Sequence, residues 1–140
     1  MSVEATEIAP PRKLRLWWLW WFVGWAMVAA TVNESLQAKV WKVAEVIAWD
    51  KANHFVGYFL LTTWFCGVAK RSRYLVVGVL LIAFGGALEI AQGLMHEGRT
   101  ADWFDFLANS LGVSAGVTLA MLGLGNWMIW IEKLFRVRKE

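Results

Sequence analysis

Cysteine and proline are nearly absent from this chain, and charged residues are sparse. Cys66 is the one cysteine, so an intramolecular disulfide is excluded and the redox compartment is left open. The two prolines, Pro10 and Pro11, close a polar segment that is predicted to be a disordered tail. Only 18% of the residues are charged, and the basic ones stand at the ends of apolar runs. This pattern argues against a nucleic-acid partner, despite the net charge of +3.

Hydrophobic residues make up 59% of the 140 positions, which is more than a water-soluble domain of this size carries. Residues 14–32, 55–69, 74–95 and 106–131 are predominantly apolar. About 20 residues suffice to cross the hydrocarbon core as a helix. We therefore predict an all-α integral membrane protein with four transmembrane helices, the second of which extends back toward Asp50. The predicted domain is 14–131, with a cytoplasmic tail at 1–13 and a basic cytoplasmic tail at 132–140.

Basic residues predict the orientation of these spans. Ten of the 14 lysines and arginines fall within 12–15, 70–73 and 133–139. Because cytoplasmic loops are enriched in lysine and arginine, both termini and the 70–73 loop are predicted to be cytoplasmic. A cleaved signal peptide at 12–30 is the alternative, and the length and tryptophan content of that stretch favour an uncleaved anchor.

Between the first two spans, apolar residues recur at helical spacing. They are Leu36, Val40, Val43 and Ile47. The pattern predicts a short amphipathic helix on the outer surface, where it would cover the bundle or act as a lid.

Polar residues recur at helical spacing near the outer ends of three predicted spans. The groups are Asp50, His54 and Tyr58; Glu89 and Gln92; and Asp102, Asp105 and Asn109. Glu89 would lie roughly 9 Å below the outer surface, at 1.5 Å per residue. An ionised residue near mid-membrane costs about 2.5–3.5 kcal/mol, so Glu89 must face protein, be protonated, or pair with a cation. The three groups are therefore expected to meet in one layer, with Lys51 and Arg99 beside them.

These motifs resemble the VanZ-like family of bacterial membrane proteins. The resemblance rests on Asp50-Lys51-x-x-His54-Phe55-x-x-Tyr58, on Glu89-x-x-Gln92, and on Arg99-Thr100 followed by Asp105, Asn109 and Gly112. It covers about half of the chain, and Trp49 and Gly98 stand where family members often have proline. The resemblance implies a location in the bacterial plasma membrane. It also implies a link to the cell envelope, because the namesake lowers susceptibility to the lipoglycopeptide teicoplanin.

Residue by residue, the resemblance points to candidate groups of two kinds. The candidates for acid–base chemistry are His54, Glu89, Asp50 and Asp105. The candidates for ligand binding are Lys51, Tyr58, Gln92, Arg99 and Asn109.

Several functions are compatible with this polar layer. It could bind an anionic envelope lipid or a cell-wall precursor through Lys51 and Arg99. It could instead be a membrane-embedded hydrolase or transferase in which His54 or Glu89 acts as base, although no serine or cysteine nucleophile stands nearby in sequence. A third interpretation is a structural network that holds the helices together. A proton-coupled transporter is less compatible, because the cytoplasmic halves of the spans are apolar.

No cofactor or metal is predicted. Asp50, His54, Glu89, Asp102 and Asp105 could supply ligands to Mg²⁺ or Mn²⁺, but no dense ligand motif of the H-E-x-x-H kind is present. The expected partners are membrane lipids and a lipid-linked or cell-wall precursor ligand.

Overall fold

The computed structural model describes residues 14–36, 44–95 and 101–137, and within these ranges the secondary structure is helical, without strands. The helices are α1 (Trp17–Leu36), α2 (Ala44–Val68), α3 (Tyr74–Leu94), α4 (Trp103–Met121) and α5 (Trp127–Val137). Short 3-10 turns, Arg71–Arg73 and Leu124–Asn126, precede α3 and α5. The predicted all-α class is confirmed.

The four long helices run alternately up and down. At one end, the Gln92 side chain on α3 donates to the Ser35 carbonyl on α1, and Lys51 on α2 reaches Asp102 before α4. We call this the polar end. At the opposite end, which we call the aromatic end, the start of α1 meets α5. Successive long helices are therefore antiparallel, and both limits of the described chain lie at the aromatic end.

Close contact between α2 and α4 sets the shape of the bundle. A Cβ atom on Gly112 would collide with the backbone carbonyl oxygen of Phe55 and lie 3.1 Å from its carbonyl carbon. A Cβ on Gly116 would lie 2.8 Å from the Cβ of Thr62. Small residues allow helix backbones to approach in this way. This close contact, which we call the α2–α4 seam, holds the first turns of α4 against α2. The polar side chains lie on these first turns and on the facing part of α2.

The aromatic end is held by one carboxylate and three indoles. Glu132 on α5 accepts a hydrogen bond from the backbone N–H of Leu16 at 3.0 Å and another from the Trp20 indole at 2.8 Å. The rings of Trp20, Trp64 and Trp127 lie 5.4 to 5.7 Å apart, centroid to centroid. These contacts join α1, α2 and α5.

Two helices in the described part of the chain are long and apolar enough to cross a bilayer: Arg71–Leu94 and Trp103–Met121. The predicted end of the fourth span, at residue 131, is wrong. α4 stops at Met121, and the chain turns at Gly123, whose φ of 115° suits glycine, before α5 begins. Apolar residues continue through this turn, so hydrophobicity alone could not locate it.

The predicted amphipathic helix lies mostly outside the described residues. α2 begins at Ala44, so Ile47 is part of α2 rather than of a separate helix. The predicted tail at 1–13 and the last residues of the chain, 138–140, also lie outside the described ranges.

Candidate functional site

Lys51 lies at the centre of the polar end, between two carboxylates. Its Nζ is 2.7 Å from Asp102 Oδ2 and 2.7 Å from Asp105 Oδ1. Asp102 also caps α4, because its Oδ1 accepts a hydrogen bond from the backbone N–H of Phe104 at 2.8 Å. The Lys51 ammonium therefore joins α2 to the start of α4. Its predicted contact with a ligand would compete with these two ion pairs.

The ion pair also affects the protonation of Asp102. The hydrogen bond from Lys51 holds the pKa of Asp102 below its ordinary value of 3.8, against a smaller opposing effect of burial. The hydrogen bond from the Phe104 backbone acts in the same direction as Lys51. Asp102 is thus a carboxylate at neutral pH.

His54 is held by an amide on α4. Its Nδ1 lies 3.0 Å from Asn109 Oδ1, and Asn109 is almost completely buried. An amide oxygen only accepts hydrogen bonds, so with Asn109 in this orientation Nδ1 is the donor. Nε2 then faces two carboxylates, at 3.7 Å from Asp105 Oδ2 and 3.9 Å from Asp50 Oδ2. Both distances exceed a hydrogen bond.

Glu89 and Gln92 share a face of α3 but contact different parts of the polar end. Glu89 is buried, and its Oε2 accepts a long hydrogen bond of 3.3 Å from the Asp102 backbone N–H. Gln92 donates to the Ser35 carbonyl at 2.6 Å. Glu89 thus contacts Asp102, which pairs with Lys51, whereas Gln92 connects α3 to α1.

A cavity of about 320 Å³ opens between α1 and α2 at the polar end. Thr31 and Glu34 line it from α1, and His54, Gly57 and Tyr58 from α2. The Tyr58 side chain is 2% exposed, and its hydroxyl has no hydrogen-bond partner within the described ranges. The hydroxyl packs toward α3, where a Cβ on Gly85 would lie 3.2 Å from it. A buried hydroxyl without a partner is costly.

The structure brings most of the predicted residues together. Five of the predicted residues contact or face one another at the polar end: Asp50, Lys51, His54, Asp105 and Asn109. Tyr58 and His54 both line the cavity, and Arg99 lies outside the described residues. The sequence pattern did not lead to a predicted contribution from α1. The available signal was Glu34, an acidic residue near the end of the first apolar run.

No family model, curated protein or solved structure matches this chain.

Proposed function

We propose that this chain is a VanZ-like protein of the bacterial plasma membrane whose polar end faces outward and binds an anionic envelope lipid or cell-wall precursor. In this proposal four helices span the membrane and both termini are cytoplasmic. The observation that carries the ligand-binding role is the cavity of about 320 Å³ between α1 and α2, whose wall carries the polar side chains of Thr31, Asn53 and His54.

The antiparallel bundle and its surface support the membrane assignment. α3 exposes large apolar side chains along its length, among them Leu75, Val79 and Ile90, and burying such a surface in lipid removes it from water. α1 and α2 have 20 and 25 residues, enough to cross the hydrocarbon core. Exposed indoles stand near both ends of the bundle, as in an interfacial aromatic belt, with Trp17 at the aromatic end and Trp103 at the polar end.

The chemistry of the cavity suggests which part of the ligand enters it. Glu34 is an anion on the wall, so a phosphate would be repelled there, whereas the hydroxyl and amide groups of a sugar or peptide could bond with Thr31 and Asn53. Lys51 is paired with two carboxylates. The proposal therefore assigns the anionic group of the ligand to Arg99 and its uncharged polar part to the cavity.

Filling the cavity tests this function. A Cβ at Gly57 would meet no atom within 4 Å, so Gly57→Leu can project into the cavity without a backbone clash. Ala52→Leu adds the same side chain on an exposed position of α2 and serves as the control. We expect Gly57→Leu to lose binding of a lipid-linked peptidoglycan precursor in detergent, and any effect of the protein on teicoplanin susceptibility, while Ala52→Leu keeps both. Unchanged binding by a folded Gly57→Leu protein would overturn the proposal.

A hydrolase or transferase is the second candidate, because the geometry at His54 suits a general base. Asn109 orients the imidazole, and His54 lines the cavity. In this case His54→Gln and Glu89→Gln should abolish turnover of a precursor while the melting temperature stays near that of the wild type. If both variants instead lose stability in proportion to function, the polar layer is a structural network.

A further inference from the structure

We propose that Asp50, His54 and Asp105 bind one divalent transition-metal cation at the polar end. The three side chains each offer a ligand atom, and these atoms lie within 4.8 Å of one another. This site does not depend on the envelope ligand proposed above.

The orientation of His54 is the first argument. Metal-binding histidines commonly donate their second ring N–H to a protein oxygen, which fixes the tautomer and directs the other nitrogen at the metal. Asn109 provides that oxygen at 3.0 Å from Nδ1. The His54 side chain is 9% exposed, and Nε2 has no partner at hydrogen-bond distance in the described structure. Nε2 is thus directed at two carboxylates by a residue outside the set.

The spacing is the second argument. Nε2 lies 3.7 Å from Asp105 Oδ2 and 3.9 Å from Asp50 Oδ2. Ligand atoms around one cation, with bonds of about 2.1 Å, are separated by roughly 3.0–3.4 Å in octahedral or tetrahedral geometry. A small inward movement of the side chains would bring the three ligand atoms into such a shell.

The third argument is that Asp105 can serve the ion pair and the metal at the same time. Its Oδ1 contacts Lys51, and its Oδ2 faces His54. A cation bound through Oδ2 would therefore leave the ion pair with Lys51 in place.

The donor set indicates the kind of metal. One imidazole nitrogen with carboxylate oxygens suits Mn²⁺, Co²⁺ or Zn²⁺ better than Ca²⁺ or Mg²⁺, which prefer oxygen alone. Three protein ligands leave coordination positions open. Because His54 also lines the cavity, an open position could receive a polar group bound there.

The test is a titration of the full chain with Co²⁺, after chelator treatment in detergent, followed by visible absorption and by melting temperature. We expect one Co²⁺ per chain, with d–d bands of a site containing nitrogen and oxygen ligands. His54→Gln and Asp50→Asn should each weaken binding by about 10–100-fold. Glu34→Gln removes a nearby carboxylate outside the set and should leave the affinity for Co²⁺ unchanged.

The outcomes separate this inference from the proposed function. Gly57→Leu should block precursor binding and still bind Co²⁺. Undetectable Co²⁺ binding by the folded wild type at millimolar metal would overturn the metal site, as would equal affinity in the wild type and in both ligand variants. The melting temperature of each metal-free variant checks its folding. If His54→Gln fails to fold, Asp50→Asn alone decides, because Asp50 is the more exposed ligand.

Discussion

The tight seam between α2 and α4 leads to a quantitative prediction for Gly112→Ala. The new Cβ would collide with the Phe55 carbonyl oxygen and lie 3.1 Å from both the Phe55 carbonyl carbon and the Phe59 backbone nitrogen. These are backbone atoms inside a helix and cannot rotate away, so the two helices must separate. Overpacking of this kind typically costs about 1–3 kcal/mol.

Gly57→Ala is the matched control for this substitution. It makes the same change inside α2, at a position where the Cβ meets nothing within 4 Å. The gain from replacing a helical glycine by alanine, about 0.5–1 kcal/mol, applies to both variants and cancels in their difference. We expect Gly112→Ala to be less stable than Gly57→Ala by about 1–3 kcal/mol, measured by reversible unfolding in mixed detergent and SDS. Equal stability of the two variants would refute the close approach of α2 and α4.

Three further predictions concern the two ends of the bundle. Glu132→Ala removes the acceptor for the start of α1 and should destabilise the protein by about 1–2 kcal/mol in the same unfolding assay, whereas Glu132→Gln keeps an acceptor oxygen and should lose less. The lowered pKa of Asp102 means that its pairing with Lys51 stabilises the protein at neutral pH, and that this contribution is lost as the pH falls below 3.8 through the lower folded pKa. Asp102→Asn should therefore reduce the change in melting temperature between about pH 2 and 5, and an unchanged profile would contradict the pairing. Positions 72 and 101 are both exposed. In intact cells a membrane-impermeant maleimide should label Ala101→Cys and should not label Ser72→Cys. The reverse result would show that the topology is opposite to the proposed one.

The convergence of α2, α3 and α4 at the polar end could be predicted because helical periodicity is a local property. Asp50 and His54 lie four residues apart, as do Asp105 and Asn109, so each pair must share a face. A face of polar residues in an apolar helix must turn toward protein rather than lipid. These two rules bring the side chains together without further information.

The partner of each side chain could not be predicted, since it depends on the rotation and depth of neighbouring helices. Lys51 contacts Asp102 and Asp105 because the α2–α4 seam brings the start of α4 beside it. Gln92 has the same spacing signal as Glu89 and nevertheless reaches Ser35 on α1. The cavity depends on the distance between α1 and α2, which leaves no periodic signal in the sequence.

The hydrogen bonding of the polar layer can be compared with that expected of a binding site and of a purely structural network. A network whose task is to hold helices together gains most when every member is satisfied, because a buried group without a partner costs about 1–3 kcal/mol. Lys51 and Asn109 fit that description. The Tyr58 hydroxyl and His54 Nε2 do not, since neither has a partner at hydrogen-bond distance among the residues the structure describes. Both residues line the same cavity. A fully satisfied network would leave no such atoms, so these two favour the proposed binding site over a purely structural network.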